Sequence, residues 1–349
     1  NNCNHCVTIF IYYCDKFITK VKVLNTFESR KKSRELNEKL IKIALIGAAT
    51  ISILTTFGIL FSILFEAIEF FKLRSFWYFL TGTTWSPGVI GSQFGALPIF
   101  AGTFVITIIA LGVAIPVGLG SAIYMSEYAS PKLRDYLKPL LEVLAGIPSV
   151  VYGFFAAITV APLVVKAAES VGLEATFNSA LASGIVMGIM IIPTISSLSD
   201  DVIRSVPDSQ RKAAFGLGMT HGETIKDIVL PSAMPGIISA SLLALSKALG
   251  ETMVVVMAAG LRPNLSWNPL DDMTTVTVTI VNSLVGDFEF SSPETLSAFA
   301  LGLVLFVVTL VLNMISLSQI RKFKEKYKVN TLWLKEKNKK LLTLFMILD

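Results

Sequence analysis

Six runs of about twenty residues or more carry almost no charge, and that pattern restricts the possible folds of this chain more than any other feature. They cover residues 44–65, 96–125, 143–165, 175–199, about 233–261, and 295–320. Each reaches the ~20 residues that an α-helix needs to cross a bilayer. Only the fifth has charges inside it, Lys247 and Glu251. A transmembrane barrel would instead show shorter stretches of alternating polarity. With 53% hydrophobic and 16% charged residues and a mean hydropathy of +0.67, the 349-residue chain is too apolar for a water-soluble domain. It reads as an all-α, multi-pass membrane protein: a tail over 1–43, a six-span domain over 44–320, and a second tail over 321–349.

Lys and Arg set the expected orientation. The segments before 44, over 126–142, over 200–233 and after 320 together hold 25 of them. The alternate loops hold 4: Lys72, Arg74, Lys166 and Arg262. The positive-inside rule therefore places the loop at 200–231 and both termini in the cytoplasm. This bias also accounts for the formal charge of +5 and the isoelectric point near 9.0, so a nucleic-acid partner is not needed to explain them.

The 200–231 loop is polar but holds small residues at helical spacing, Ala213, Ala214 and Gly218, with Lys212 before them. A helix with a bare face can settle into a groove on another protein. The run Ile228-Val229-Leu230-Pro231 then predicts a helix stop at Pro231. Elsewhere, Gly146, Pro148, Ser149 and Gly153 interrupt an apolar run, where small residues permit close packing and unwound backbone can face a cavity. The hydroxyls of Ser149 and Tyr152 are candidate donors to a polar group between helices; the alternative for both is helix packing. A charge at membrane depth costs about 2.5–3.5 kcal/mol on the lenient scale, so Lys247 and Glu251 are expected to face protein or water. Their spacing predicts one helix face and allows a buried pair that fixes helix register.

Ala213, Ala214 and Gly218 with the closing Ile228-x-Leu230-Pro231 resemble the "EAA" loop of ABC importer permeases, with Lys212 where that family usually has Glu. Ser126-Glu127-Tyr128-Ala129, the run from Glu142 to Phe155 and Leu249-Gly250-Glu251-Thr252-Met253 are similar to the phosphate importer permeases. Phe94-Gly95-Ala96-Leu97-Pro98 resembles their PstC-type subunit over about residues 35–327. The resemblance implies a type I ABC importer permease fold, with an EAA-type coupling helix around Lys212, Ala213, Ala214, Gly218, Ile228, Leu230 and Pro231. It implies Lys247, Glu251, Ser149 and Tyr152 in the translocation region, Lys247 standing where Arg is usual. The implied partners are a second homologous permease, two copies of an ATP-binding subunit, an extracytoplasmic phosphate-binding protein and the lipid of a prokaryotic plasma membrane. Alternatives within the class are the sister PstA-type subunit or a permease for another oxyanion. A secondary transporter driven by ions fits the six spans but not the loop, and an ion channel would want a filter ring that is not evident.

No Gly-Lys dipeptide occurs, so the chain lacks a Walker-type phosphate loop, and a transport subunit without its own ATPase site is expected. Cys3, Cys6 and Cys14 with His5 lack a second ligand pair, and neither a metal nor a cofactor is expected. Val7 to Tyr13 is too short to span, and residues 1–30 read as upstream sequence or a tail. Trp77, Tyr78 and Trp85 between the first two spans fit either an interfacial aromatic belt or a docking surface. The acidic stretch 262–294, with Asp271, Asp272, Asp287, Glu289 and Glu294, would repel an anion and suits a partner or solvent.

Overall fold

The fold comes from a computed structural model that describes residues 3–87, 92–285, 289, 291–315 and 317–318, with side chains from residue 38 onward. The tail expected over 321–349, the side chains of Cys3, Cys6 and Cys14, and Asp287 lie outside the described residues. The chain forms two compact units, Asn1–Ser62 and Ile63–Asp349. The first is helical throughout its described residues and belongs to α1 (Cys3–Leu73).

The second unit continues with α2 (Phe76–Thr81), the short strands β1 (Trp85–Ser86) and β2 (Gln93–Phe94), and α3 (Leu97–Ile123), which ends in a wide π-type turn at Tyr124–Tyr128. Next come α4 (Pro131–Ala145), α5 (Ser149–Phe155), a second wide turn (Ala156–Val160) and α6 (Ala161–Ser170). They are followed by α7 (Ala180–Arg204), α8 (Asp208–Gly216), α9 (His221–Thr224), a third wide turn (Ile225–Val229) and α10 (Leu230–Leu249). The last helices are α11 (Met253–Ala258), α12 (Val276–Val285) and α13 (Pro293–Ile315). Among the described residues six helical stretches are long and apolar enough to cross a membrane: Glu38–Leu73, Leu97–Tyr128, Ser149–Ser170, Ala180–Arg204, His221–Leu249 and Pro293–Ile315.

Packing centres on α3 against α7. Their contact is made close by glycine: a Cβ on Gly188 would lie 2.8 Å from the Ala110 carbonyl oxygen and 2.9 Å from Val113. Small residues at such crossings bring helix axes together where no hydrophobic force separates lipid from protein. Ile106, Ala110, Met187, Ile191 and Ile195 fill this core. A second core joins the end of α1 to the loop before α3. Phe70, Phe79, Trp85 and Phe94 stack edge to face at 5.3–6.3 Å, with Trp85 paired opposite Phe94 across the antiparallel β1–β2 ribbon. Trp85 is thus a core residue, whereas Trp77 stands 73% exposed.

Two boundaries differ from the sequence expectation. The third span starts at Ser149 and not at 143, because Pro148 cannot continue α4, and the chain turns through Gly146–Pro148 before α5 begins. The helix stop expected at Pro231 does not occur. α9, the wide turn and α10 run on without a break, and the Leu230 amide donates five residues back, to the Ile225 carbonyl. The widened turn makes room for the proline ring and for its missing N–H, so Pro231 lies near the start of α10 and not at a terminus.

Candidate functional site

Two places concentrate polar chemistry. The first is where the 200–231 loop meets the ends of α3 and α7. The Arg211 guanidinium, on α8, donates to Glu127 Oε1 at 2.8 Å, to the carbonyl oxygens of Ile203 at 3.0 Å and Val206 at 2.5 Å, and to Asp208 Oδ1 at 3.3 Å. Ile203 lies in the last turn of α7, where unsatisfied carbonyls favour a cation. Glu127 sits in the wide turn that ends α3, so one side chain ties α8 to two membrane helices. The Arg211 and Glu127 side chains are 15% and 7% exposed. His221, at the start of α9, adds a contact 3.3 Å from the Glu127 carbonyl oxygen and a ring edge at 5.0 Å to Tyr128.

A second clamp lies alongside. Asp200, wholly buried in α7, accepts from Arg134 Nη2 at 2.6 Å and Nε at 3.4 Å, while Lys138 reaches Asp201 Oδ1 at 2.5 Å. The hydrogen bond to Asp200 pushes the Arg134 guanidinium above its already high ordinary pKa. An open polar cavity of about 480 Å³ adjoins both clamps, lined by Glu127, Arg134, Asp135, Arg204, Asp208 and Arg211.

The expected coupling residues divide by face. Ala214 is buried toward the bundle, while Lys212, Ala213, Phe215 and Leu217 are exposed. Gly218 ends α8 with φ +82°; its amide donates to Phe215 O at 3.0 Å, and that of Met219 donates to Ala214 O at 3.2 Å. This is a Schellman cap, which needs a left-handed residue. A Cβ there would meet nothing within 4 Å, so the backbone conformation and not lack of room explains the glycine within this chain. Thr220 and Glu223 then form a capping box that starts α9. Ile228 is half-buried in the wide turn, as are Leu230 and Pro231 in α10.

The second place is a break within the fifth span. Gly236 of α10 packs on Val202 near one end of α7, and the Ala258 carbonyl of α11 accepts from Ser179 N at the other end, at 3.1 Å. Helices α10 and α11 together therefore run the length of α7, and the interruption at Gly250–Thr252 falls between those ends. This corrects the expectation of one helix face: α10 ends at Leu249, so Lys247 lies in its last turn and Glu251 lies beyond it. Among the described residues the two form no ion pair. Glu251 Oε1 instead accepts from the Met253 and Val254 amides at 3.0 and 3.3 Å, capping α11, while Lys247 is exposed. Helix α5 packs against this break, with a Cβ on Gly153 coming within 3.0 Å of Met253 O. Ser149 opens α5, and the Tyr152 hydroxyl donates to the Leu144 carbonyl at 2.9 Å, which commits its only proton to the end of α4. Ser149, Tyr152 and Glu251 thus lie on or next to adjoining elements, and Lys247 is one helical turn before the break.

Sequence reasoning passed over Arg211, Arg134 and Asp200. Glu127 stood inside a recognised run, but its partner lies 84 residues away, and no local spacing announces it.

A bundle of apolar helices with a capped water-side helix latched to its ends is the architecture of an ABC importer permease. The chain belongs to the binding-protein-dependent transport system inner membrane component family, whose model matches residues 114–325. It is 33% identical over 283 residues to the probable ABC transporter permease protein YqgH of Bacillus subtilis, covering 80% of this chain and 90% of that protein. It is 33% identical to the phosphate transport system permease protein PstC 1 of Mycobacterium tuberculosis, covering 74% and 85%. PstC of Mesorhizobium japonicum is 36% identical, covering 67% and 75%. Among solved structures, a bacterial alginate ABC transporter in complex with an alginate-bound periplasmic protein shares the fold, with a TM-score of 0.55 at 15% identity over 78% of this chain and 92% of that one.

Proposed function

We propose that the chain is the PstC-type half of the membrane pathway of an ATP-driven importer for inorganic phosphate. The observation that carries this reading is the 33–36% identity to permeases named for phosphate transport, which extends over two thirds or more of the chain. In this reading a homologous permease completes the pore, and two ATP-hydrolysing subunits drive it from the cytoplasm. An extracytoplasmic phosphate-binding protein delivers the anion. The termini and the 200–231 loop are cytoplasmic, in keeping with the Lys and Arg count, and α8 is the helix on which the ATPase docks.

Lys247 supplies the positive potential along the path. As a compact ammonium it attracts phosphate as a point charge and not through a planar fork. The broken span supports the assignment, since discontinuous helices create polar backbone at membrane depth only where it lines protein or water. Ser149 adds a hydroxyl donor beside the break. Tyr152 reaches substrate only if its bond to Leu144 opens. Glu251 holds α11 in place and repels the anion from that side, which makes it a gating element and not a phosphate ligand. Uptake of radiolabelled phosphate by the reconstituted complex, competed with sulfate and molybdate, tests the reading. Competition by unlabelled phosphate alone supports it, and accumulation of another oxyanion in its place refutes it.

A further inference from the structure

We infer that the docking face of α8 requires a carboxylate on the ATP-hydrolysing subunit, seated opposite Lys212. The inference rests on the proposed function, and it names the chemistry of the partner's groove.

Four observations carry it. The inward face of α8 is already committed: Arg211 is latched to Glu127 and the end of α7, Ala214 is buried, and Gln210 Oε1 accepts from the Ser232 hydroxyl at 3.2 Å. At 100° per residue, Lys212 falls at the centre of the opposite face, with Asp208, Phe215 and Gly216 around it. Lys212 is exposed, and among the described residues it has neither an ion pair nor a hydrogen bond. Its flanks are bare or apolar: a Cβ on Gly216 would meet nothing within 4 Å, Phe215 is 47% exposed, and Leu217 at the tip is 84% exposed.

An exposed phenylalanine and leucine on a loop outside the membrane spans mark a surface made to be covered. Covering Phe215 would also desolvate Lys212, which lies about 60° from it around the helix at 100° per residue. An ammonium taken from water without a counter-charge costs several kcal/mol, so a groove that binds this face must present an acid there. Asp208 does not serve: its side chain is 83% exposed and stands 3.3 Å from Arg211. The face is therefore cationic at its centre and apolar at its edge, and it selects a groove of the complementary pattern. A partner with a basic residue at that point would be rejected, which makes Lys212 a determinant of which ATPase the permease accepts.

The test uses the full chain in membranes with its ATP-hydrolysing subunit, scoring retention of that subunit and ATP-dependent uptake for Lys212→Glu, Lys212→Arg and Leu217→Gln. Lys212→Glu is expected to reduce retention on the order of tenfold or more, as like charges meet across a desolvated face. Lys212→Arg is expected to retain the subunit as the parent does. Leu217→Gln removes apolar surface from the docking face while leaving its charge unchanged. If Leu217→Gln weakens retention but Lys212→Glu does not, the docking role of α8 stands and the carboxylate is refuted. If neither weakens it, the docking reading falls as well. Membrane abundance of each variant is measured alongside, and Lys212→Gln, which removes charge without reversing it, covers the case in which the glutamate variant fails to insert. Its binding should be weaker and less sensitive to salt than the parent's; an unchanged salt dependence contradicts the proposal.

Discussion

Arg211 and Glu127 meet at 2.8 Å across 84 residues of chain, and through this contact the end of α3 holds α8. The same guanidinium closes the end of α7 by bonding the carbonyls of Ile203 and Val206. One side chain thereby ties α8 to two membrane helices.

Removing one partner of such a largely buried pair leaves the other uncompensated, at a cost of roughly 3–5 kcal/mol. Arg211→Ala is expected to lower the melting temperature of the detergent-solubilised protein by several degrees and to uncouple ATP hydrolysis from uptake. Glu127→Gln keeps an acceptor for Arg211 and should be milder on both readouts. Equal loss in the two variants would show that charge, and not the hydrogen bond, holds α8.

Gly218 separates conformation from space. Its φ of +82° costs a residue with a side chain about 1–2 kcal/mol, and its surroundings are open. Gly218→Asn, which tolerates the left-handed region, should transport better than Gly218→Ala. Gly218→Leu should match Gly218→Ala if only the Schellman cap matters. A much larger defect in the leucine variant would show that a partner approaches this point closely.

Much of the architecture was legible in the sequence because hydrocarbon demands about twenty apolar residues of every crossing. That rule marked all six spans and the polar loop between the fourth and fifth. The wide turn at Ile225–Val229 was not legible: proline normally ends a helix, and only the observed Leu230-to-Ile225 bond shows how Pro231 is accommodated. The break at Gly250 was hidden for the opposite reason, since Lys247 and Glu251 at four-residue spacing mimic a continuous helical face. The Arg211–Glu127 and Arg134–Asp200 pairs are tertiary contacts, and no local pattern encodes them.

Glu251 offers a sharper probe of the break. Its carboxylate accepts from the Met253 and Val254 amides, the work of a helix cap worth about 0.5–2 kcal/mol. Glu251→Ala should lose that bonding and transport poorly. Glu251→Gln keeps an acceptor oxygen, so any defect it shows reports on the charge. Assaying uptake and binding-protein-dependent ATP hydrolysis together separates the two: a gating charge predicts hydrolysis that depends less on the binding protein in the glutamine variant, and a cap alone predicts parental values.

The proposed sidedness, drawn from the Lys and Arg bias, is checked by single cysteines in a chain freed of Cys3, Cys6 and Cys14. Ser92→Cys and Ser292→Cys should react with a membrane-impermeant thiol reagent in intact cells, and Ser209→Cys only after permeabilisation. Labelling at position 209 in intact cells would reverse the orientation.

The central claim is that this chain lines a phosphate path and that Lys247, beside the break in the fifth span, gives the path its positive potential. The initial rate of phosphate uptake by the assembled importer, normalised to the amount of the chain in the membrane, tests it for Lys247→Gln and Lys247→Arg. The account predicts near-complete loss with glutamine and substantial retention with arginine. Parental uptake by the glutamine variant at equal abundance would contradict it.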